Sequence, residues 1–543
     1  MSETPVTEDL YPAAPADALS NPAAQQALPD AAPQTGAPAQ PPQVALVLGL
    51  GESGLAMARW LQYRGYLVRV ADTRSAPARL GQWLAMNPER EAECFIAGAF
   101  SADLLQGVDV LAISPGLAPR GELAQILPAA QAAGITPWGE IELFAQALKH
   151  LQESRAYAPK IIAITGTNGK TTVTSMVGQL AQRAGLRVQV AGNISPAALD
   201  VLYDCLQSDS LPQVWALELS SFQLHFTYSL NPHAATVLNL TQDHLDWHAD
   251  MAEYGRDKAR IFGPDTVRIL NREDALVMAM HGPDPAKVQT FGVDAPRACG
   301  DFGLVAERGM QWLAQAEASE EEDGPPKRRK KGEAAPAIPT MLKHLMPVDA
   351  LQVRGQHNAA NALAALALCR ACGIQLAPLL HGLREYQGQP HRVELVRLVA
   401  GHAWYDDSKG TNVGATVAAL KGLGGEMQAD GGAARLVLLA GGVGKDQDFS
   451  PLAAPVTRYA RAVILFGRDA AQIEAALAAS GVPLLHAADL AQAVQMADRA
   501  CLQGDAVLFS PACASFDMFD NYVHRAQVFI GLVQELALEK GEV

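Results

Sequence analysis

A chain of 543 residues is too long to close over one ordinary hydrophobic core, so about three domains are expected. An apolar fraction of 49% with 6% aromatic residues is that of a soluble α/β protein and excludes a disordered or membrane-embedded chain. The formal net charge of −15 excludes a general nucleic-acid binder, which carries a basic face, but not a nucleotide site, which needs only one local anion pocket.

Residues 1–42 are rich in Ala, Pro and Gln, have little to bury and read as a disordered tail. They carry acids and no apolar h-region, so a secretory signal is not expected, and no stretch approaches the ~18 apolar residues that span a bilayer. Seven cysteines, at 94, 205, 299, 369, 372, 501 and 513, follow no regular framework, which suits a reducing cytosol. Cys369 and Cys372 form a lone CxxC inside the helical run NALAALALCRACG and are read as packed helix positions rather than a metal or redox pair.

From Val44 onward, short apolar runs alternate with Ala/Leu-rich helical segments, the pattern of parallel sheets covered on both faces. The strand VALVL leads into Gly49-Leu50-Gly51-Glu52-Ser53-Gly54, and Asp72 closes the next strand, LVRVAD. By spacing this is a dinucleotide fingerprint, with glycines at the turn and an acid near a ribose, but the same turn accepts other nucleotide diphosphates, and NAD is left open. DVLAISPG is a further strand of this series.

The strand KIIAI is followed by Thr165-Gly166-Thr167-Asn168-Gly169-Lys170-Thr171-Thr172, which opens a helix. Glycines let the backbone turn tightly and aim N–H groups at phosphate oxygens, Lys170 brings a positive charge, and the Thr171 hydroxyl can reach Mg²⁺. The strict Walker spacing is not met, because its first glycine falls at Ile164. Glu218 ends the strand VWALE, and the segment Asn239 to His248, with Asp243, His244 and Asp246, follows another strand. Carboxylate and imidazole at strand ends beside a phosphate loop can build a Mg²⁺ site. Lys258, in EYGRDKARIF, reads on residue type alone as a helical surface lysine. Residues 316–337 hold an acidic run, Pro-Pro and a basic run, and read as a solvated insertion rather than a docking motif. ARLVLLAGG, RAVILFG and GDAVLFSPA then predict a further α/β domain.

The segments GTNGKTT, LELSSFQL, NLTQDHLDWH, GQHNAANALAAL, PHRVE, DDSKGTN and SPACASFD stand in the order found in the Mur ligases. From about Val44 to its C-terminus, outside residues 316–337, the chain resembles that family, and its wording is most similar to the branch that adds D-glutamate to UDP-N-acetylmuramoyl-L-alanine in peptidoglycan synthesis. The resemblance implies a Rossmann-like UDP-binding domain at 43–139, a central P-loop ATPase domain with a parallel sheet at 140–388, and a Rossmann-like amino-acid-binding domain at 389–543.

By the same resemblance, the uridine nucleotide sits on Ser53, Gly54 and Leu55, with Asp72, Thr73 and Arg74 around uracil and ribose and Ser114, Pro115 and Gly116 nearby. Asn193 and His244 meet the muramoyl part or its metal. ATP is held by residues Gly166 to Thr172 with Asn361, Arg392 and Asp407, and two Mg²⁺ ions by Thr171, Glu218, His244 and Lys258. Lys258 matches the lysine that carries a CO₂-derived carbamate, which reverses the surface reading. His391, Lys409, Thr411, Lys445, Ser515 and Tyr522 match positions around D-glutamate and the reacting centre, with Tyr522 standing where the family often has Phe. The catalytic set implied is Lys170, Glu218, His244, Lys258 and Lys409, in a monomeric cytoplasmic ligase that works through an acyl phosphate. A folylpolyglutamate synthetase or another Mur ligase is the nearest alternative, followed by a dinucleotide oxidoreductase fused to an NTPase module and by a P-loop switch.

Overall fold

The computed structural model describes residues 42–319, 340–353, 355–428 and 433–542, so the expectations for the N-terminal tail and for residues 320–337 lie outside the described residues. The chain builds three sheets in succession, as the alternating pattern predicts. The first contains β1 (Val44–Leu48), β2 (Leu67–Asp72), β3 (Phe95–Ala97), β4 (Val110–Ile113) and β5 (Pro137–Trp138), all parallel, in the order β3-β2-β1-β4-β5. The strand order reverses at β1, and in such sheets the crevice beyond the strand's carboxyl end is where ligands bind. Gly49 leaves β1 at φ 83°, and a Cβ on Gly54 would lie 1.9 Å from the Gly49 carbonyl oxygen, so the helix Glu52–Tyr63 can start this close only with glycine there.

The second sheet contains β6 (Lys160–Thr165), β7 (Val188–Gly192), β8 (Val214–Glu218), β9 (Ala234–Val237), β10 (Val267–Asn271), β11 (Val288–Phe291), β12 (Phe302–Glu307), β13 (Met310–Ala318) and β14 (Thr340–Pro347). Its order is β14-β13-β12-β11-β10-β9-β6-β8-β7, parallel from β7 through β12. The parallel sheet expected from sequence is present and carries in addition an antiparallel edge, β12-β13-β14. The cause is local: Arg308 and Gly309 both take positive φ, 51° and 81°, making a two-residue turn that can join only antiparallel neighbours. β13 also runs to Ala318, so Ala316, Glu317 and Ala318 pair with Leu342, Met341 and Thr340 rather than belonging to an insertion.

The third sheet contains β15 (Glu394–Val399), β16 (His402–Asp406), β17 (Leu436–Gly441), β18 (Ala460–Phe466), β19 (Leu484–His486) and β20 (Ala506–Phe509), in the order β15-β16-β20-β17-β18-β19. It is parallel except for β15 against β16.

The strands that carry the sites are apolar runs buried along their length, such as VALVL and VWALE, because helices cover both sheet faces. The helix Gln356–Ala371 is buried from Ala362 through Cys369 and packs with the helix Lys170–Arg183 in one core. A helix apolar on all sides has to be enclosed in this way. Burial pushes the Cys372 thiol up to about 12 and Cys369 in the same direction, so both stay protonated in that core. Among the described residues, no helix is long and apolar enough to cross a membrane.

Candidate active site

The phosphate loop leaves β6 at the point where the second sheet's strand order reverses, with β8 on one side and β9 on the other. Gly166 sits at φ 150° against the Leu238 backbone, and Gly169 caps the helix Lys170–Arg183 at φ 83°. The Lys170 ammonium folds back to donate to the Gly166 and Thr167 carbonyls at 3.0 and 2.9 Å. Asn239, beyond β9, braces the loop: its Oδ1 accepts from the Asn168 N–H at 2.8 Å and its Nδ2 donates to the Asn168 carbonyl at 3.1 Å. A loop braced in this way at a helix N-terminus is suited to hold an anion.

Glu218 ends β8 beside the cradle. Its Oε1 accepts from Asn193 Nδ2 at 2.8 Å, whereas its Oε2 is buried without a hydrogen-bond partner. A buried carboxylate oxygen left unpaired is costly unless a cation meets it.

Lys258 is not on the surface. It is 1% exposed on the inner face of the helix Met251–Ala259, with Tyr254 one turn earlier on the same face. Its Nζ donates to the Gly166 carbonyl at 2.9 Å and to Thr165 Oγ1 at 3.3 Å, and lies 4.5 Å from the centre of the Tyr254 ring. Burial, then the nearby Lys170 charge, hold its pKa well below the usual lysine range. Burial lowers Lys170 as well, against the pull of Glu218 and Asp243.

His244 takes a left-handed backbone, φ 55°, and packs edge-on against Phe222 at 4.8 Å. Burial lowers it to about 4 although Asp243 acts in the other direction, so the imidazole is neutral near pH 7 and can act as a ligand. Glu218, the Thr171 hydroxyl and neutral His244 are each of a donor type that could serve Mg²⁺. Lys258 fits that set only once its positive charge is removed.

The third domain closes over this centre. Arg392 Nη2 and Lys409 Nζ both donate to Thr171 Oγ1, at 3.2 and 3.1 Å. Asn412 Nδ2 donates to Asn168 Oδ1 at 3.0 Å and to Asp243 Oδ2 at 3.2 Å, and Lys445 Nζ stands 3.9 Å from Asp243 Oδ1. Burial and the Arg392 charge bring Lys409 down to about 8. A cavity of about 200 Å³ opens between the domains, lined among others by Gly169, Thr172, Asn361, Arg392 and Asp407. Burial raises Asp407 to about 7 despite the hydrogen bond from Ser510 and the charge of Arg392.

Around the same seam, His391 Nδ1 lies 2.7 Å from Asp406, and the Tyr522 ring centre lies 5.5 Å from Lys409 Nζ. The Thr411 N–H donates to the Lys409 carbonyl at 2.9 Å, and buried Ser515 opens the turn that precedes the helix Tyr522–Glu539.

The expected uridine residues gather at the first sheet. Asp72 Oδ2 accepts from the Leu50 N–H and from Arg74 Nη2, both at 2.7 Å, while Oδ1 takes the Arg74 N–H and Nε. Burial alone would raise Asp72, but these bonds outweigh it and hold the carboxyl at about 2. Ser114 Oγ donates to the Gly49 carbonyl at 2.8 Å, so it packs under the turn that carries Ser53, Gly54 and Leu55. Ser53 Oγ donates to buried Glu140 at 3.2 Å, and Ser195, two residues after Asn193, donates to Glu52. The turn after β1 is thereby tied to the side of the second domain that positions Glu218. Pro115 and Gly116 lie in the turn after β4, and Thr73 is exposed beside Arg74.

Several residues that hold this arrangement were not singled out from the sequence: Asn412, Glu140, Tyr254 and Asp406. Asp406 and Asn412 fall inside the DDSKGTN segment, whereas Glu140 and Tyr254 carry no local signal.

The Mur ligase MurD-like N-terminal domain family matches residues 43–139, the Mur ligase middle domain residues 164–369, and the Mur ligase glutamate ligase domain residues 391–513. The UDP-N-acetylmuramoylalanine–D-glutamate ligase of Ralstonia nicotianae is 57% identical over 499 residues, covering 91% of this chain and 97% of the relative. The enzyme of the same name from Cupriavidus pinatubonensis is 57% identical over 509 residues, covering 92% and 98%. Among solved structures, the UDP-N-acetylmuramate–alanine ligase MurC of Thermotoga maritima superposes with a TM-score of 0.51 at 19% identity, covering 91% of this chain and 99% of that one. The MurF ligase of the same organism, in complex with ADP, gives 0.52 at 12% identity, covering 92% and 96%. At such identities the two structures speak for the three-domain fold alone.

Proposed function

We propose, from the premise that this chain belongs to the Mur ligase family, that it is an ATP-dependent ligase joining D-glutamate to UDP-N-acetylmuramoyl-L-alanine. Relatives that bear this activity in their names match it at 57% identity over nearly their whole length. The observation that carries the chemistry is the convergence of Arg392 and Lys409, from the third domain, on the Thr171 hydroxyl of the phosphate loop. A phosphoryl group held in the cradle would meet cations from both sides, which stabilises the charge on it during transfer to a carboxylate.

A carboxylate resists attack by an amine because its leaving group would be oxide. Transfer of the ATP γ-phosphoryl group to the alanyl carboxylate replaces that leaving group with phosphate. The D-glutamate amine then adds to the acyl carbon, and the tetrahedral intermediate collapses to amide and phosphate. Lys170 and the helix N-terminus bind the nucleotide phosphates, with Gly166 to Thr172 as the cradle. Asn361, Arg392 and Asp407 line the cavity for the rest of ATP. Thr171, Glu218 and His244, with Lys258 as a carbamate, would hold Mg²⁺, which when bound neutralises charge on the transferred group. Lys409 stabilises the developing oxyanion, and Lys445, Thr411, Ser515, Tyr522 and His391 surround the amino acid. Closure of the third domain on Asn168 and Asp243 excludes water from the acyl phosphate.

On the first domain, Ser53 to Leu55, Asp72 to Arg74 and Ser114 to Gly116 bind the uridine diphosphate, and Asn193 the muramoyl part. Asp72 already spends both oxygens on Arg74 and Leu50, which speaks against its serving a nicotinamide dinucleotide's ribose and for Arg74 as a clamped planar cation beside the pyrimidine. The enzyme acts as a cytoplasmic monomer. Phosphate release from ATP tests the reading. It should require UDP-N-acetylmuramoyl-L-alanine and D-glutamate together, and equal turnover with L-glutamate or a diamino acid would refute it.

A further inference from the structure

We infer that Asp406 is a positioning residue that holds His391 with Nε2 as a hydrogen-bond acceptor for the ammonium of the incoming amino acid. The inference rests on the reading of His391 as part of the D-glutamate pocket.

Asp406 ends β16 and is fully buried. Its Oδ1 accepts from the Ser408 N–H at 2.9 Å and from Ser408 Oγ at 2.5 Å, which leaves Oδ2 pointing at His391 Nδ1 at 2.7 Å. The carboxylate cannot turn without breaking these bonds. The His391 backbone is fixed as well: φ is 64°, its N–H donates to Glu394 Oε2 at 2.8 Å, and its carbonyl accepts from the Lys409 N–H at 3.2 Å. The ring is therefore pinned at both ends, and among the described residues Nε2 has no hydrogen-bond partner.

A carboxylate accepting at Nδ1 keeps the proton there and puts the lone pair on Nε2. The residue that follows, Arg392, and the residue bonded to the His391 carbonyl, Lys409, are the two that reach Thr171. His391 thus rides on the segment that meets the phosphate loop.

An amino acid arrives as an ammonium ion and has no lone pair to attack with. Nε2 takes one proton as the N–H bond breaks, the freed pair forms the bond to the acyl carbon, and the second proton lost from that nitrogen leaves on the departing phosphate. Phosphate departs with the electrons of the C–O bond. The imidazolium left behind is stabilised by Asp406, with Glu394 the other acid on this side and Arg392 and Lys409 the facing cations.

Asp406→Asn tests this, because its carbonyl can keep the Ser408 bonds while its NH₂ faces Nδ1 and inverts the tautomer. The expected result on the full chain is a fall in kcat of about a hundredfold or more, with KM for ATP and D-glutamate within about threefold. Selective ¹⁵N-histidine labelling, with His391 assigned from a His391→Gln spectrum, should show Nδ1–H in the wild type and Nε2–H in the variant. An unchanged kcat, or a wild-type His391 protonated only at Nε2, overturns the inference. The wild-type spectrum decides alone if the variant does not fold. Failure of the wild type to turn over D-glutamate would instead overturn the functional reading beneath it.

Discussion

Lys170 and Lys258 meet at one oxygen: their ammonium groups donate to the Gly166 carbonyl at 3.0 and 2.9 Å. Two buried cations this close disfavour each other, and Lys258, which no carboxylate among the described residues pairs directly, is depressed further. A neutral amine is the form that reacts with CO₂, losing a proton and gaining an anionic oxygen donor.

Lys258 should therefore carry a carbamate in solution. Enzyme equilibrated with ¹³C-bicarbonate is expected to show a carbamate ¹³C resonance that vanishes in Lys258→Ala, with turnover falling at least about a hundredfold. Stripping CO₂ from the wild type should lower activity reversibly. An alanine variant with near-normal rate would return the residue to a packing role.

Glu218→Gln keeps an oxygen for Asn193 but removes the carboxylate charge at the unpaired Oε2. The Mg²⁺ concentration needed for half-maximal rate should rise by about tenfold or more while the melting temperature stays within a few degrees. Chelation of Mg²⁺ from the wild type should abolish turnover, and added Mg²⁺ should restore it. An unchanged Mg²⁺ requirement in the variant would exclude Glu218 from the metal site.

Asp407 gives a pH signature with a definite sign. Its folded-state value is about 7 against an ordinary 3.8, mainly through burial, so the folded chain keeps a proton that the unfolded chain releases. That stabilisation is complete below about pH 3.8 and is lost as pH rises through about 7. Asp407→Asn cannot lose it. The variant's melting temperature relative to wild type should accordingly be higher at pH 8 than at pH 5, and a difference independent of pH would contradict the assignment.

The hairpin that brackets the acidic-basic segment offers a simpler test. Ala318 pairs with Thr340, so the two strand ends already stand side by side. Replacing residues 320–339 with a short Asn-Gly turn should leave melting temperature and kcat nearly unchanged. A large loss of either would mean that the segment docks on the enzyme.

How much of this was legible in the sequence depends on how local each cause is. β1 and β6 announce themselves because a fully buried parallel strand is a continuous apolar run and its exit needs glycine, as at Gly49 and Gly166. The Arg308-Gly309 turn is local too, but without an Asn-Gly or Asp-Gly pair it does not read as a hairpin. Lys258 misleads on residue type because its burial depends on Thr165 and Gly166, more than ninety positions away. Arg392 and Thr171 lie 221 positions apart, and no spacing rule links them. Only ordered motifs resembling a known family put such residues in one site from sequence.

The acyl phosphate is the central intermediate of the proposed reaction, and oxygen isotopes report on it directly. UDP-N-acetylmuramoyl-L-alanine labelled with ¹⁸O in its alanyl carboxylate should be incubated with ATP, Mg²⁺ and D-glutamate, and the released phosphate examined by mass spectrometry. One ¹⁸O atom per turnover should appear in phosphate, because the carboxylate oxygen that accepts the phosphoryl group leaves with it. Phosphate free of ¹⁸O while the amide product accumulates would exclude an acyl phosphate.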